Sequence, residues 1–302
     1  VLIVVAISFI ESTPWKITLT NVQLALANGV LNSILVLGVF PVYEHFFDIT
    51  TRFKLMELSD LNADIFKKML LNAPGTYNHS LVVSTLAEAA CKEIDANYML
   101  ARVGAYYHDI GKLADSGMYI ENGITDLRAR RLSPAGYSKL IISHVSKGVQ
   151  IAKDHGLPES VIDFIREHHG KSTMTFFYHQ ALENVSNNPS ESIHKSDFQY
   201  PGPKPHSIET AVVMLADAIE AASRSIKEPT RDRIEGMVRK IIYNKLNDGD
   251  LDGSGISMLQ LKKVQNVFLR MLFGIYHSRI EYPDTQQIRD LEKEVADEKS
   301  VS

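Results

Sequence analysis

Between Ile17 and Tyr43 the chain carries no charged side chain, and residues 24–43 alone supply enough apolar length to cross a bilayer as a helix. Few folds accommodate such a stretch: lipid covers it, or the rest of the protein does. The expectation is a transmembrane helix punctuated by Gly29, Gly38 and Pro41. A buried helix of a soluble domain is the alternative, favoured by Asn28 and Asn32, whose amides need partners inside lipid. Residues 1–10 are apolar but shorter than the roughly 20 residues a crossing requires, and they read as the end of a longer hydrophobic helix. A signal-peptide core is disfavoured by the missing basic flank and the hydrophobic run that follows. The chain starts at Val1 rather than Met, which reads as a fragment or a processed form. Arg52, Lys54, Lys67 and Lys68 follow the apolar run and only Lys16 precedes it, so the C-terminal part is expected in the cytoplasm.

Beyond that run the pattern is helix after helix, with no sustained alternation of period two and no hairpin turn pairs, so the fold class is all-α. Residues 49–61 read as a helical connector with Leu55 and Leu58 at apolar spacing, and Asp60 or Asn62 is positioned to begin the next helix. Helices are expected after Pro74-Gly75-Thr76, through Leu100, Val103 and Tyr107 to about Gly111, and from the N-cap pair Ser133-Pro134. Another opens at Leu157-Pro158-Glu159 and finishes at His168-His169-Gly170. The last three are expected at 209–226, 230–246 and 257–277, the final one opened by a Ser257 and Gln260 capping box. Residues 114–132 and 184–206 are expected as loops, and the charged tail after Pro283 is expected to fray. The resulting division is a membrane segment (1–45), a connector (46–62), a helical domain (63–283) and a tail (284–302).

At 45% hydrophobic and 302 residues the chain can bury a sizeable core, while a net charge of -4 gives no general reason to bind a nucleic-acid polymer. Any anionic ligand must be met locally. Cys91, the single cysteine, excludes an internal disulfide and reads as a small buried thiol.

The residues that carry chemistry are His79, His108, Asp109, His144, His168, His169 and Asp217, spread over five predicted helices. Helical bundles build metal sites from such inward-facing ligands. Five imidazoles and two carboxylates without a thiolate suit divalent iron, manganese or zinc, and seven ligands are about right for two ions sharing a carboxylate. Singly, His79 or His144 is more often a core or capping histidine, and His168-His169 can simply serve a helix C-terminus. Asp217 is harder to dismiss, because a carboxylate inside the run Val213-Met214-Leu215-Ala216-Asp217-Ala218-Ile219 is costly unless paired or metal-bound. His155, His179, His194, His206 and His277 are read as outside the site.

His79, His108-Asp109 and Asp217 form the H…HD…D pattern of the HD-domain metal-dependent phosphohydrolases. More closely, Ala73-Pro74-Gly75-Thr76-Tyr77-Asn78-His79-Ser80, Gly104-Ala105-Tyr106-Tyr107-His108-Asp109-Ile110-Gly111-Lys112, His168-His169-Gly170, Tyr200-Pro201-Gly202-Pro203-Lys204-Pro205 and Leu215-Ala216-Asp217 resemble the seven-transmembrane HD family. Its bacterial members are cyclic-di-AMP phosphodiesterases. The resemblance, running from about Gly29 to Pro283, implies an HD helical bundle behind the last membrane helices of a multi-pass bacterial membrane protein.

It also implies that His79, His108, Asp109 and Asp217 hold one ion, that His144, His168 and His169 hold the second, and that Asp109 bridges. The ions would be iron or manganese, supplying a hydroxide for in-line attack on a phosphodiester and giving linear pApA. Lys112, one turn after Asp109, would support the phosphate as a catalytic and substrate-binding cation. Self-association is left open.

One element departs from the family. Where members often carry an Asn-Pro-His type element after the region of Glu121-Asn122, this chain has Gly123-Ile124-Thr125-Asp126-Leu127-Arg128-Ala129-Arg130-Arg131, which bears on substrate specificity. The three arginines read first as a solvated cluster and second as phosphate contacts. Competing readings are another substrate, cyclic-di-GMP or ppGpp, and a membrane receptor that binds nucleotide without cleaving it. Against cyclic-di-GMP, His168-His169 is followed by Gly170-Lys171-Ser172 and not by Glu and a Gly-Tyr-Pro element; Gly136-Tyr137-Ser138 is misplaced and lacks the proline. Against the receptor, a binding module has no need of all seven ligands.

Overall fold

The computed structural model describes residues 1–47, 49–123, 126, 132–187 and 193–277; the side chains of 40–42, 45, 46, 185–187 and 277 are not described. Arg128, Arg130, Arg131 and the tail from 284 therefore lie outside the described residues. Among those described there are twelve α-helices and no strand, only one isolated bridge between Thr173 and Gln199.

Helix α1 (Leu2–Ile10) and α2 (Trp15–Phe47) lead the chain. Within α2, Trp15–Val39 is long and apolar enough to cross a membrane, and none of its most apolar window is buried by the rest of the protein. Leu24, Leu31 and Ile34 are each 63% exposed, so the described residues do not bury this helix. The two amides that favoured burial answer each other one turn apart: Asn32 Nδ2 donates to Asn28 Oδ1 at 2.9 Å.

Helix α3 (Arg52–Leu58) lies within the stretch expected as a connector and is capped by Thr51, whose hydroxyl accepts from Lys54 N. It docks through Leu55, which is buried in a cluster with Phe66, Met69, Tyr107 and Ile110; burying one such side chain contributes about 1.5–3 kcal/mol. Tyr107 Oη donates to Leu58 O at 3.1 Å, and the hydroxyls of Thr50 and Ser160 meet at 2.6 Å. Helix α4 (Asp64–Asn72) starts later than the sequence suggests, because Asp60 accepts from its neighbour Asn62 N (2.9 Å) in a local turn that competes with a helix start.

The main core is built on α5 (Pro74–Glu93), α6 (Tyr98–Tyr107), α10 (Ile208–Arg224), α11 (Arg231–Asn247) and α12 (Met258–His277). Helix α5 begins at Pro74 itself rather than after Thr76, since proline's fixed φ and missing N–H suit the first helical position. Helix α10, the most enclosed, opens with a Ser207 and Thr210 capping box and buries Ala211 through Asp217. Helix α12 has the expected box, with Gln260 N donating to Ser257 Oγ (3.2 Å) and Ser257 N to Gln260 Oε1 (3.0 Å).

Helices α7 (Pro134–Asp154), α8 (Glu159–Glu167) and α9 (Thr175–Asn187) complete the bundle. Ser133 caps α7 through Gly136 N as expected. Helix α9 is a correction: no element is expected over 175–183, and 184–187 fall inside the expected loop. It forms because no proline or glycine interrupts it, and it docks through buried Ala181 and through Phe177, whose ring lies 5.2 Å from that of Tyr137 on α7. A second correction concerns the expected loop after Gly111, where 3₁₀ turns cover Ile110–Met118 and Ile120–Asn122.

Candidate metal centre

Five helices or helix ends bring the seven candidate ligands together. His79 comes from the second turn of α5, His144 from the middle of α7, His168-His169 from the end of α8, and Asp217 from α10. His108-Asp109 stands where α6 stops, at Tyr107 rather than near Gly111, because Asp109 (φ -110, ψ 13) leaves helical geometry. Gly111 makes the next contact possible: a Cβ there would lie 1.8 Å from the His144 carbonyl oxygen, so only glycine lets this turn rest on α7. Gly170, at φ +53, closes α8 in the left-handed region after the histidine pair.

The imidazoles are aimed by their outer nitrogens. His108 Nδ1 donates to Ala105 O (2.7 Å), His144 Nδ1 to Ile141 O (2.6 Å) and His168 Nδ1 to Ile165 O (3.0 Å), each acceptor three residues earlier. A carbonyl can only accept, so Nδ1 carries a proton in each ring and Nε2 is the nitrogen turned inward, the one able to ligate a metal. His144 Nε2 and His168 Nε2 face each other at 3.1 Å, both 3.2–3.6 Å from Asp109 Oδ1. On the other side, His108 Nε2 lies 3.2 Å and His79 Nε2 3.6 Å from Asp109 Oδ2, while His79 Nε2 is 3.0 Å from Asp217 Oδ1. Asp109 thus turns one oxygen to each set. Among the described residues, the buried His108 Nε2 and Asp109 Oδ1 find no hydrogen-bond partner.

Converging imidazole nitrogens and carboxylate oxygens, two of them without a hydrogen-bond partner among the described residues, are what cations satisfy, so the His/Asp cluster fits metal binding. The donor atoms of Asp109, His144, His168 and His169 lie within 4.8 Å of one another, as do those of His79, His108 and Asp109, and those of His108, His168 and Asp217.

Electrostatics agree with the geometry. Burial alone would raise the Asp109 carboxyl, but Lys112 and His108 hold it well below the usual carboxylate range; burial opposes the same shift at Asp217, which its hydrogen bond to His79 holds low. Burial pushes His168 down to about 3 and His169 well below the ordinary value, leaving both imidazoles neutral at pH 7. Burial also disfavours His79 protonation, yet the Asp217 and Glu220 carboxylates raise it to about 9.

A pH dependence follows for the metal-free protein. Where His168 and His169 have folded pKa values below the unfolded 6.5, the unfolded chain binds more protons, so stability falls as pH drops from about 6.5 toward 3. The His79 contribution has the opposite sign, present below 6.5 and lost as pH rises toward about 9. Thermal melts of the metal-free protein at about pH 5, 6.5 and 9 are therefore expected to show the highest midpoint near 6.5; equal midpoints at 5 and 6.5 would contradict this.

Lys112 is held between two carboxylates, with Nζ 2.8 Å from Asp109 Oδ2 and 2.7 Å from Glu121 Oε1. Despite burial, those charges raise its pKa, so it stays cationic. Lys112, His79, His144, His169 and Asp217 all line one cavity of about 1220 Å³, whose apolar walls include Tyr137, Phe176 and Phe177.

Sequence reasoning missed several residues here. Glu220, one turn after Asp217 in the same apolar helix, bonds His79 Nδ1; a second carboxylate in that run was the available signal. Tyr200 packs on His169 at 4.1 Å between centroids, and Tyr119 sits edge-on to His144 at 6.3 Å. Of the histidines set aside, His206 bonds Glu167 (2.6 Å) and His155 caps the end of α7 through Ile151 O (2.8 Å). His179 is 3.7 Å from Glu183 on α9, and His194 is exposed.

Known proteins place this arrangement. The HD domain family matches residues 76–222. The cyclic-di-AMP phosphodiesterase PgpH of Bacillus subtilis is 40% identical over 266 residues, covering 88% of this chain and 37% of that protein. Its namesake in Listeria monocytogenes is 38% identical over 268 residues, again 88% and 37%. The chain thus spans a little over a third of the length of these curated relatives. The crystal structure of the L. monocytogenes PgpH HD domain in complex with cyclic-di-AMP superposes with a TM-score of 0.66 at 37% identity, covering 73% of this chain and 100% of that one.

Proposed function

The chain belongs to the HD-domain family, and from that premise we propose that it is a metal-dependent phosphodiesterase hydrolysing cyclic-di-AMP to linear pApA. The observation that carries the reading is the inward convergence of imidazole Nε2 atoms on two buried carboxylates at one side of a large, partly aromatic cavity. The relatives named for that activity and the complex of the similar HD domain supply the substrate.

In this reading His79, His108, Asp109 and Asp217 hold one divalent ion and His144, His168 and His169 the other, with Asp109 shared. Iron or manganese suits the donor set. Such ions supply Lewis acidity and lower the pKa of bound water. The protein's own part is positional. Asp109 stays ionised and turns one oxygen to each ligand set. Lys112 keeps its charge at the cavity wall, where it fixes Asp109 and faces an incoming phosphate. The burial of the ligands excludes bulk water, which strengthens each of these interactions. In the overall reaction one water adds to phosphorus and one ribose 3′ P–O bond breaks, leaving a 5′ phosphate and a 3′ hydroxyl on an opened dinucleotide.

The proposed organisation keeps 1–45 as a membrane segment, 46–62 as connector and 63–283 as the phosphohydrolase domain on the cytoplasmic side of a bacterial membrane. The apolar α2 and the excess of Lys and Arg after it support that placement.

The test is a substrate panel. Purified protein loaded with Mn2+ or Fe2+ is expected to convert cyclic-di-AMP to pApA faster than it turns over cyclic-di-GMP or ppGpp. Faster cleavage of either rival would replace the substrate, and binding of cyclic-di-AMP without any cleavage would favour a receptor.

A further inference from the structure

His79 differs from the other buried ligands in how it is aimed. His108, His144 and His168 take their orientation from a carbonyl of their own chain three residues earlier, whereas the outer nitrogen of His79 is held by a side chain from another helix, Glu220 of α10. Glu220 is only 4% exposed, and its second oxygen accepts from Arg224 Nε at 2.5 Å, one turn further along α10. It stands one turn after Asp217, which meets the inner nitrogen of the same ring at 3.0 Å. One face of α10 therefore grips both nitrogens of His79.

We propose that Glu220 is a positioning residue for the metal centre: it fixes His79 with Nδ1 outward and Nε2 toward Asp109 and Asp217, with Arg224 anchoring it in turn. The role rests on the two-ion reading above. A ring free to flip would offer the wrong nitrogen, and a carboxylate on the outer nitrogen also makes the inner one a better donor. Burying a carboxylate here would otherwise be unfavourable, and Arg224 offsets that cost. Glu220 lines the same cavity as His79 and Asp217, but its two oxygens are engaged by His79 and Arg224, so its effect is on metal loading of one ligand set.

The experiment titrates the whole metal-free chain with Mn2+, following binding by calorimetry and the spin-coupled pair by electron paramagnetic resonance. Wild type is expected to take two equivalents. Glu220→Ala is expected to lose about 10–100-fold in affinity for one equivalent, leaving the other unchanged and an uncoupled signal at intermediate loading. Glu220→Gln, which keeps an oxygen for Nδ1–H, is expected to stay close to wild type. Two equivalents bound by Glu220→Ala as tightly as by wild type would overturn this role alone. So would Glu220→Gln falling as far as Glu220→Ala with an equal drop in melting temperature, since that marks a packing defect. A wild-type chain that takes up fewer than two equivalents overturns the two-ion reading, and this role with it.

Discussion

Asp109→Ala is expected to abolish phosphodiester hydrolysis, lowering turnover by at least about 10³-fold, because losing a shared ligand removes several kcal/mol of transition-state stabilisation. Its carboxylate faces both ligand sets, Oδ2 toward His79 and His108, Oδ1 toward His144 and His168. Both ions should therefore be lost or loosened together, which elemental analysis of the purified variant measures. Lys112 keeps Glu121 as a partner at 2.7 Å, so the variant is expected to remain folded. Melting curves establish that before activity is compared. An Asp109→Ala protein that holds two ions and turns over at near the wild-type rate would sink the assignment of this residue.

The largest expected effect on stability lies two residues later. Gly111→Ala puts a methyl group 1.8 Å from the His144 carbonyl oxygen and 2.5 Å from Gly148 N, both backbone atoms that cannot rotate aside. The segment carrying His108-Asp109 and helix α7 must then separate, at an expected cost of about 3 kcal/mol, the upper end of ordinary overpacking. Denaturant unfolding measures it, and metal uptake should fall too, because His144 is displaced. Gly236→Ala is the control. Gly236 lies in the exposed middle of α11 with nothing within 4 Å of the added carbon, so alanine there is expected to stabilise by about 0.5–1 kcal/mol. Equal stabilities for the two variants would contradict the packing argument.

Much of the bundle was legible in the sequence because its signals are local. The caps at Ser133 and Ser257 act within four residues, and Asp217 is conspicuous for standing in an apolar run. The seven proposed ligands were legible for the same reason, as residue types on helical segments matching a known pattern. What they contact was not. Glu220 was overlooked because its partner His79 is 141 positions away, a distance no pattern in the chain spans. Helix α9 was overlooked because Thr175 and the residues after it show no cap or clean apolar stripe, and the helix depends on docking against α7. The end of α6 was misplaced by four residues because Asp109 gives up helical geometry to meet its neighbours, and tertiary contact there outweighs helix propensity.

The three imidazoles tied to carbonyls of their own turns have an entropic consequence. A side chain that must be immobilised when its ligand arrives charges that lost rotamer freedom, up to about 1 kcal/mol, against the affinity. His108, His144 and His168 are already held in the metal-free protein, so that freedom was surrendered during folding. Because the acceptors belong to the backbone, no side-chain substitution deletes them, and each ring's direction is inherited with its helical turn.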